Sequence, residues 1–210
     1  MTAEEAVREV EDWVARYLTR PHPDLGREGV VCPYTVKAKR DDHLRVLPFD
    51  AREGDDAFVA LARRMRESLL EIAPSLGADR IYLARLMAPH GLPEPELQAM
   101  VERVHTRIKP EFVASGFMVG DFWPGHEGVG VHNPDFRPLS SPIPILGIRH
   151  IVPPDLIFFV APENSLAEKI RYLADYRSTF AGRLNAYWSA QLEEMEAAIH
   201  REAEAEPVAG

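Results

Sequence analysis

Residues 117–160 read FMVGDFWPGHEGVGVHNPDFRPLSSPIPILGIRHIVPPDLIFFV and decide the fold. Three apolar runs in this stretch, at 117–123, 145–151 and 155–160, are typical of strands because glycine or proline bounds each of them. A loop rich in proline and glycine joins the first two runs. Closely spaced strands that are followed by helices predict an α+β fold with a mostly antiparallel sheet.

The rest of the chain is predicted to flank this sheet with helices. Apolar residues at spacings of three and four predict four helices. The first covers 3–19, the second begins at Asp55 or Asp56, the third covers 97–112 and the fourth covers 165–201. A break in the fourth helix is predicted near Gly182. Further strands are predicted at 44–49 and 80–87, and residues 21–40 are predicted as a loop. We therefore expect a single domain over 1–210, with an N-terminal helix (3–19), a sheet-containing core (44–160) and a long C-terminal helix (165–201).

Composition restricts the class of protein. The formal net charge of −9 argues against nucleic acid as a partner, since phosphate binding needs a basic surface. A single cysteine excludes an intramolecular disulfide. The N-terminus has no signal-peptide pattern, and no window is apolar enough to span a membrane. The sequence predicts a soluble, cytoplasmic protein that binds a small molecule, and the aromatic C-terminal helix makes a homodimer a hypothesis.

His150 is the leading candidate for a site residue. Strand alternation in ILGIRHI places His150 beside Leu146 and Ile148, with Arg149 on the opposite face. An apolar wall, an imidazole and a nearby cation suit a haem, whose iron binds histidine and whose propionates need a cation. Cys32, which precedes Pro33, is a second candidate for contact with haem. For each residue the alternative is structural: a core histidine and a buried, inert cysteine.

Two other chemistries are compatible with the residue types in this region. A 2-His-1-carboxylate metal site needs three ligands on one face, and the candidates are His126, His132 and His150 with Asp121, Asp135 and Asp155. A serine hydrolase would use Ser141, His150 and Asp155, although no G-x-S-x-G motif is present. Signatures of nucleotide binding are absent from the sequence.

Two segments carry a family resemblance. WVARYLTRPHPDLGREGVVCPY near the start and HNPDFRPLSSPIPILGIRHIVPPDLIFF in the second half resemble an uncharacterised family often encoded near actinobacterial biosynthetic genes. The order of elements is also distantly similar to the YqcI/YcgG-type haem proteins, some of which N-oxygenate amino acids or guanidines. The shared features are a cysteine next to proline, a later proline-rich segment with serine, and a strand that carries histidine before an aromatic-rich helix.

The second resemblance implies a haem-dependent oxygenase that acts on a small amine or another natural-product intermediate. His150, or less favourably His132, would be the axial iron ligand. Arg149 and Arg137 would anchor haem propionates or a substrate carboxylate. The remaining implied residues are the polar groups His132, Asn133 and Asp121 and the aromatic walls Phe122, Trp123 and Phe136.

Three alternatives to an oxygenase stay open from the sequence. One is a non-catalytic protein that binds haem or a small molecule. Another is a cofactor-free cyclase, isomerase or hydrolase that uses the histidine, aspartate and arginine residues of 117–150. The last is a structural protein that docks through its acidic C-terminal helix.

Overall fold

The computed structural model describes residues 1–205 and confirms the α+β class, with helices flanking a sheet and a long helix near the C-terminus. Within these residues the sheet has four strands: β1 (Leu44–Asp50), β2 (Ala84–His90), β3 (Phe117–Phe122) and β4 (Ile145–His150), in the spatial order β1-β2-β4-β3. β1 and β2 are parallel, whereas β2 and β4 are antiparallel. The sheet is therefore mixed. The parallel pairing of β1 and β2 is possible because a helical crossover connects the two strands.

The helices are α1 (Ala3–Trp13), α2 (Pro33–Arg40), α3 (Asp55–Leu76), α4 (Glu94–Ala114), α5 (Leu156–Phe159), α6 (Leu166–Thr179) and α7 (Ala186–Ala205). A π-helical turn, Val14–Leu18, continues α1 to one residue before the predicted end at 19. The break predicted in the C-terminal helix lies between α6 and α7, and Gly182 adopts a positive φ there. In the described part of the chain, no helix is long and apolar enough to cross a membrane.

Two compact units make up the chain. The first contains residues 1–109 and 119–150, and the second contains residues 110–118 and the described residues after 150. The single domain over 1–210 stays a prediction, and its last five residues lie outside the described part.

One face of the sheet in the first unit is covered by α1. Thr2 begins this helix with a capping box to Glu5, and the spacing of Ala6, Val10 and Trp13 buries one stripe. The stripe packs against apolar residues of β2 and β4, including Leu86 and Ile145. The predicted inward stripe of the N-terminal helix is thus confirmed.

The second unit has its own core around two buried tyrosines of α6. Tyr172 and Tyr176 pack with Phe159, and the Tyr176 hydroxyl donates to the Pro153 carbonyl at 3.0 Å. Lys169, only 9% exposed, pairs with Glu202 of α7 at 2.9 Å. Acidic residues of α7 therefore include partners for basic residues of α6.

Three local predictions are wrong. The apolar run 155–160 is a turn followed by α5, because Pro153 and Pro154 favour the first positions of a helix over a strand. The segment after Cys32, predicted as a loop, is α2, which begins at Pro33. The strand predicted over 80–87 begins at Ala84, since residues 77–82 form a 3-10 helix.

Candidate acid–base site

A carboxylate between two histidines forms the most chemically suggestive cluster in the first unit. The Oδ2 atom of Asp121 lies 3.3 Å from the Nδ1 atom of His105, and its Oδ1 atom lies 4.0 Å from the Nε2 atom of His126. The three side chains are 18%, 16% and 13% exposed, respectively. Each is thus mostly buried, yet solvent reaches each of them.

Three different elements bring these residues together. Asp121 follows Val119 by two positions on β3, so both side chains point to the same face. His105 lies on α4 in the series Val101, His105 and Ile108, whose spacing of four and three places it on the buried stripe. His126 lies in the turn after β3, where its N–H donates to the Trp123 carbonyl.

Burial governs the protonation of both histidines. It lowers the pKa of His105 below the usual 6.5, and the negative charge of Asp121 opposes this shift. Burial likewise lowers the pKa of His126, again opposed by Asp121. Both imidazoles are therefore neutral at pH 7.

The backbone fixes the tautomer of His126. The Gly128 N–H donates to the Nδ1 atom of His126 at 2.9 Å, so this nitrogen carries no proton. The proton of the neutral ring is then on Nε2, the atom that faces Asp121. The indole of Trp123 packs against the imidazole with ring centroids 4.0 Å apart, which restrains its orientation.

Four of the predicted site residues lie on another part of the same loop. The Asn133 side chain donates to the Asp24 carbonyl at 2.8 Å and accepts from the Asp135 N–H at 3.0 Å. Phe136 is buried against His22, with ring centroids 4.8 Å apart. His132 and Arg137 are exposed. Asn133 and Phe136 therefore hold the loop against residues 22–26.

We expect Gly26→Ala to release this loop segment. Gly26 has a φ of +74°, and a Cβ atom there would lie 2.5 Å from the His132 carbonyl oxygen. The positive φ alone costs about 1–2 kcal/mol, and the overlap adds about 1–3 kcal/mol. Gly182→Ala is the matched control, since its φ is +67° with open space around the Cβ position. Urea unfolding of the two variants measures the difference, and equal losses would contradict the close approach.

The residues predicted to bind haem lie on both faces of the sheet. Strand alternation puts His150 with the buried Leu146 and Ile148, as predicted. Arg149 points to the opposite face, where its guanidinium lies over the Tyr34 ring at 5.5 Å. Cys32 packs on that opposite face too, against the cluster that contains α1.

The haem hypothesis stays a prediction with a direct test. Burial, and then the charge of Arg80, lower the pKa of His150 to about 4, so the imidazole is neutral and able to bind a metal at pH 7. Protein expressed with a haem precursor is expected to show a Soret band that shifts or disappears in His150→Ala. A spectrum without this band after haemin is added to the wild-type protein would contradict the hypothesis.

The structure brings together only some of the residues proposed for a 2-His-1-carboxylate metal site or for a serine hydrolase. Of the proposed metal ligands, the structure brings His126 to Asp121, and within residues 1–205 no group of three His, Cys, Asp or Glu side chains is arranged to hold a metal ion. The Ser141 hydroxyl donates to the Ile143 carbonyl at 2.6 Å. Asp155 accepts from the Val152 N–H at 2.9 Å. Both are local backbone contacts.

The three predicted aromatic walls have separate environments. Trp123 is part of the acid–base site, Phe122 packs on Trp13 on the other face of the sheet, and Phe136 packs on His22.

Sequence reasoning named Asp121 and missed His105. The signal for His105 was its place in the apolar stripe of α4, where a histidine interrupts an otherwise hydrophobic face.

Residues 7–191 match the sequence model of a family described as Domain of unknown function (DUF6875). No curated protein and no solved structure matches the chain.

Proposed function

Because the chain belongs to the DUF6875 family, whose description assigns no activity, we propose a function from the site itself. The protein catalyses proton transfer at a carbon atom next to a carbonyl group of a small molecule, as a cofactor-free isomerase or cyclase. One observation carries this proposal: a carboxylate with one oxygen beside each of two neutral imidazoles.

Asp121 is the general base. Its Oδ2 atom faces His105, whereas its Oδ1 atom lies 4.0 Å from His126, which is longer than a direct hydrogen bond. A substrate that approaches both atoms from the same side would place its C–H group against Oδ1 and the neighbouring carbonyl oxygen against Nε2. Oδ1 takes the proton from carbon, and the same oxygen returns it to another carbon or to the oxygen of the product.

His126 is the electrophile for the carbonyl oxygen. Its Nδ1 atom accepts a hydrogen bond from Gly128, so the Nε2–H group donates. A neutral imidazole that donates to the carbonyl oxygen stabilises the negative charge that develops when the carbon loses its proton. Because burial keeps the ring neutral, this donor is available at pH 7.

His105 and Trp123 have supporting roles. The Nδ1 atom of His105 lies 3.3 Å from the Oδ2 atom of Asp121, and the proposed role of His105 is to keep Oδ1 turned toward the substrate. The Trp123 indole beside His126 offers a flat apolar surface, which favours a planar or unsaturated substrate. Such a surface suits the planar enol or enolate that proton removal produces.

Hydrogen–deuterium exchange tests the proposal. Phenylpyruvate and ethyl acetoacetate in D2O, followed by proton NMR, are the probes, because both carry acidic C–H groups next to a carbonyl and one has an aromatic ring. We expect exchange above the buffer rate with the wild-type protein and not with Asp121→Asn. Equal exchange with wild type and Asp121→Asn for every probe would overturn the proposal.

The haem-dependent oxygenase is the competing hypothesis, and the two are separable. Oxygenation of an amine needs haem and O2, whereas proton exchange proceeds in metal-free buffer under nitrogen. Exchange by colourless protein therefore supports the acid–base proposal alone. The predicted homodimer, and cytoplasmic localisation, stay predictions.

A further inference from the structure

A buried arginine with an unbalanced charge lies in the first unit. Arg85 of β2 is 7% exposed, and its charge persists at any physiological pH. Buried charges in proteins are normally paired, since an isolated ion loses its hydration without compensation. The groups around Arg85 therefore show whether its charge is compensated within the protein.

Backbone carbonyls satisfy part of the guanidinium. The Nη1 atom donates to the Ala84 carbonyl at 2.9 Å and to the His43 carbonyl at 3.2 Å. Within residues 1–205, no carboxylate bonds to Arg85. Burial, and then the like charge of Arg45, lower the pKa of Arg85, which means that its environment disfavours the cation. In the same described range, the hydrogen bonds of the guanidinium use Nη1 alone, which leaves the Nε–H and Nη2 hydrogens for a ligand.

The strand register places a second positive charge beside Arg85. Arg45 of β1 is the direct partner of Arg85, so the two side chains lie side by side on one face. Ile148 of β4 is the partner on the other side, which makes His150 a diagonal neighbour of Arg85 at about 7–8 Å. The result is a pair of positive charges, Arg45 and Arg85, on adjacent strands, with the neutral His150 on the strand beyond them.

We propose that Arg85 and Arg45 bind the oxyanion group, a phosphate or a carboxylate, of a small-molecule ligand. β1 is at the edge of the sheet and Arg45 is exposed, so the ligand enters from that edge. The oxyanion of the ligand then reaches the Nε–H and Nη2 hydrogens of Arg85. The guanidinium is planar, so these hydrogens can bond to two oxygens of one phosphate or carboxylate. This site is independent of the proton transfer proposed at Asp121.

The present partner of Arg45 does not block this site. Arg45 contacts Asp42 at 2.6 Å, but their side chains are 57% and 69% exposed. Exposed pairs of this kind contribute little to stability, so Arg45 exchanges Asp42 for a ligand at small cost. Among the described residues, the buried Arg85 has no such carboxylate to give up. An anion therefore gains a charge-assisted contact there without displacing one.

Calorimetric titration with inorganic phosphate, and separately with acetate, at constant ionic strength tests the proposal. We expect saturable binding of phosphate, of acetate or of both by the wild-type protein. Phosphate alone would indicate a phosphorylated ligand, and acetate alone or together with phosphate would indicate a carboxylate ligand. Arg85→Gln is expected to weaken binding about 10- to 100-fold, and Arg64→Gln, an exposed arginine of α3, is the matched control.

Arg45→Gln keeps the test decisive if Arg85→Gln does not fold, because Arg45 is exposed and its replacement leaves the interior intact. It is expected to weaken the same binding, with the melting temperature of the unliganded protein unchanged. Absence of saturable binding of both anions by wild type would overturn the proposal. So would wild-type affinity in every folded variant of Arg85 and Arg45.

Discussion

Replacing Asp121 with asparagine is expected to lower the rate of α-proton exchange by about 10²- to 10⁴-fold, the usual contribution of a general base. Asparagine has nearly the same shape and still contacts His105 and His126, so the geometry of the site is preserved. The amide cannot accept the proton from carbon. Initial exchange rates by NMR measure the effect.

Asp135→Asn is the matched control for this variant. Asp135 lies in the same loop, is exposed, and takes part in the local turn through its backbone N–H. Its exchange rate should equal that of the wild-type protein. A loss of activity in both variants would assign the effect to removal of negative charge in general. Wild-type activity in Asp121→Asn would contradict the role of this carboxylate.

His126→Ala is expected to lower the exchange rate by about 10²- to 10³-fold, as for the loss of one hydrogen-bond donor to an oxyanion. His126→Gln should recover part of this loss, because its side-chain amide is also a neutral N–H donor. Glutamine cannot exchange protons as an acid or base. If both variants are equally slow, His126 acts by giving up its proton, and the electrophile role is wrong.

The pH profile gives an independent check on the same residue. Burial lowers the pKa of His126 in the folded protein, so the neutral ring persists as the pH falls through 6.5, its usual value. The exchange rate should therefore be flat from pH 8 to below 6.5 and change only in more acidic solution. An inflection at or above pH 6.5 would contradict a buried, neutral imidazole.

Patterns with a clear period predicted the fold well. The stripe of α1, the buried positions of α4 and the alternation in β4 were all readable, because side-chain burial repeats every 3.6 or every two residues. The secondary structure of the short apolar run 155–160 could not be predicted, because a buried strand and a buried helical turn both consist of consecutive apolar residues. Strand pairing was also unreadable, so the parallel β1–β2 contact appears only in the structure.

The site was predicted in part. Asp121 was named as a candidate metal ligand, and Asp121 and Trp123 both belong to the site that the resemblance to haem proteins implied. In the structure both residues lie beside His126. His132, Asn133 and Arg137 are close in sequence, but this loop contacts residues 22–26 instead. Proximity along a proline-rich loop therefore did not indicate proximity in space.

The sequence by itself determined the long helices and their buried faces, because local spacing controls which side chains can leave water together. It also named the carboxylate of the acid–base site. Only the tertiary structure decided which groups meet that carboxylate, since His105 comes from a helix that precedes it in the chain and His126 from the turn that follows it. The neutral state of both histidines is likewise tertiary, because it depends on burial, which no single segment provides.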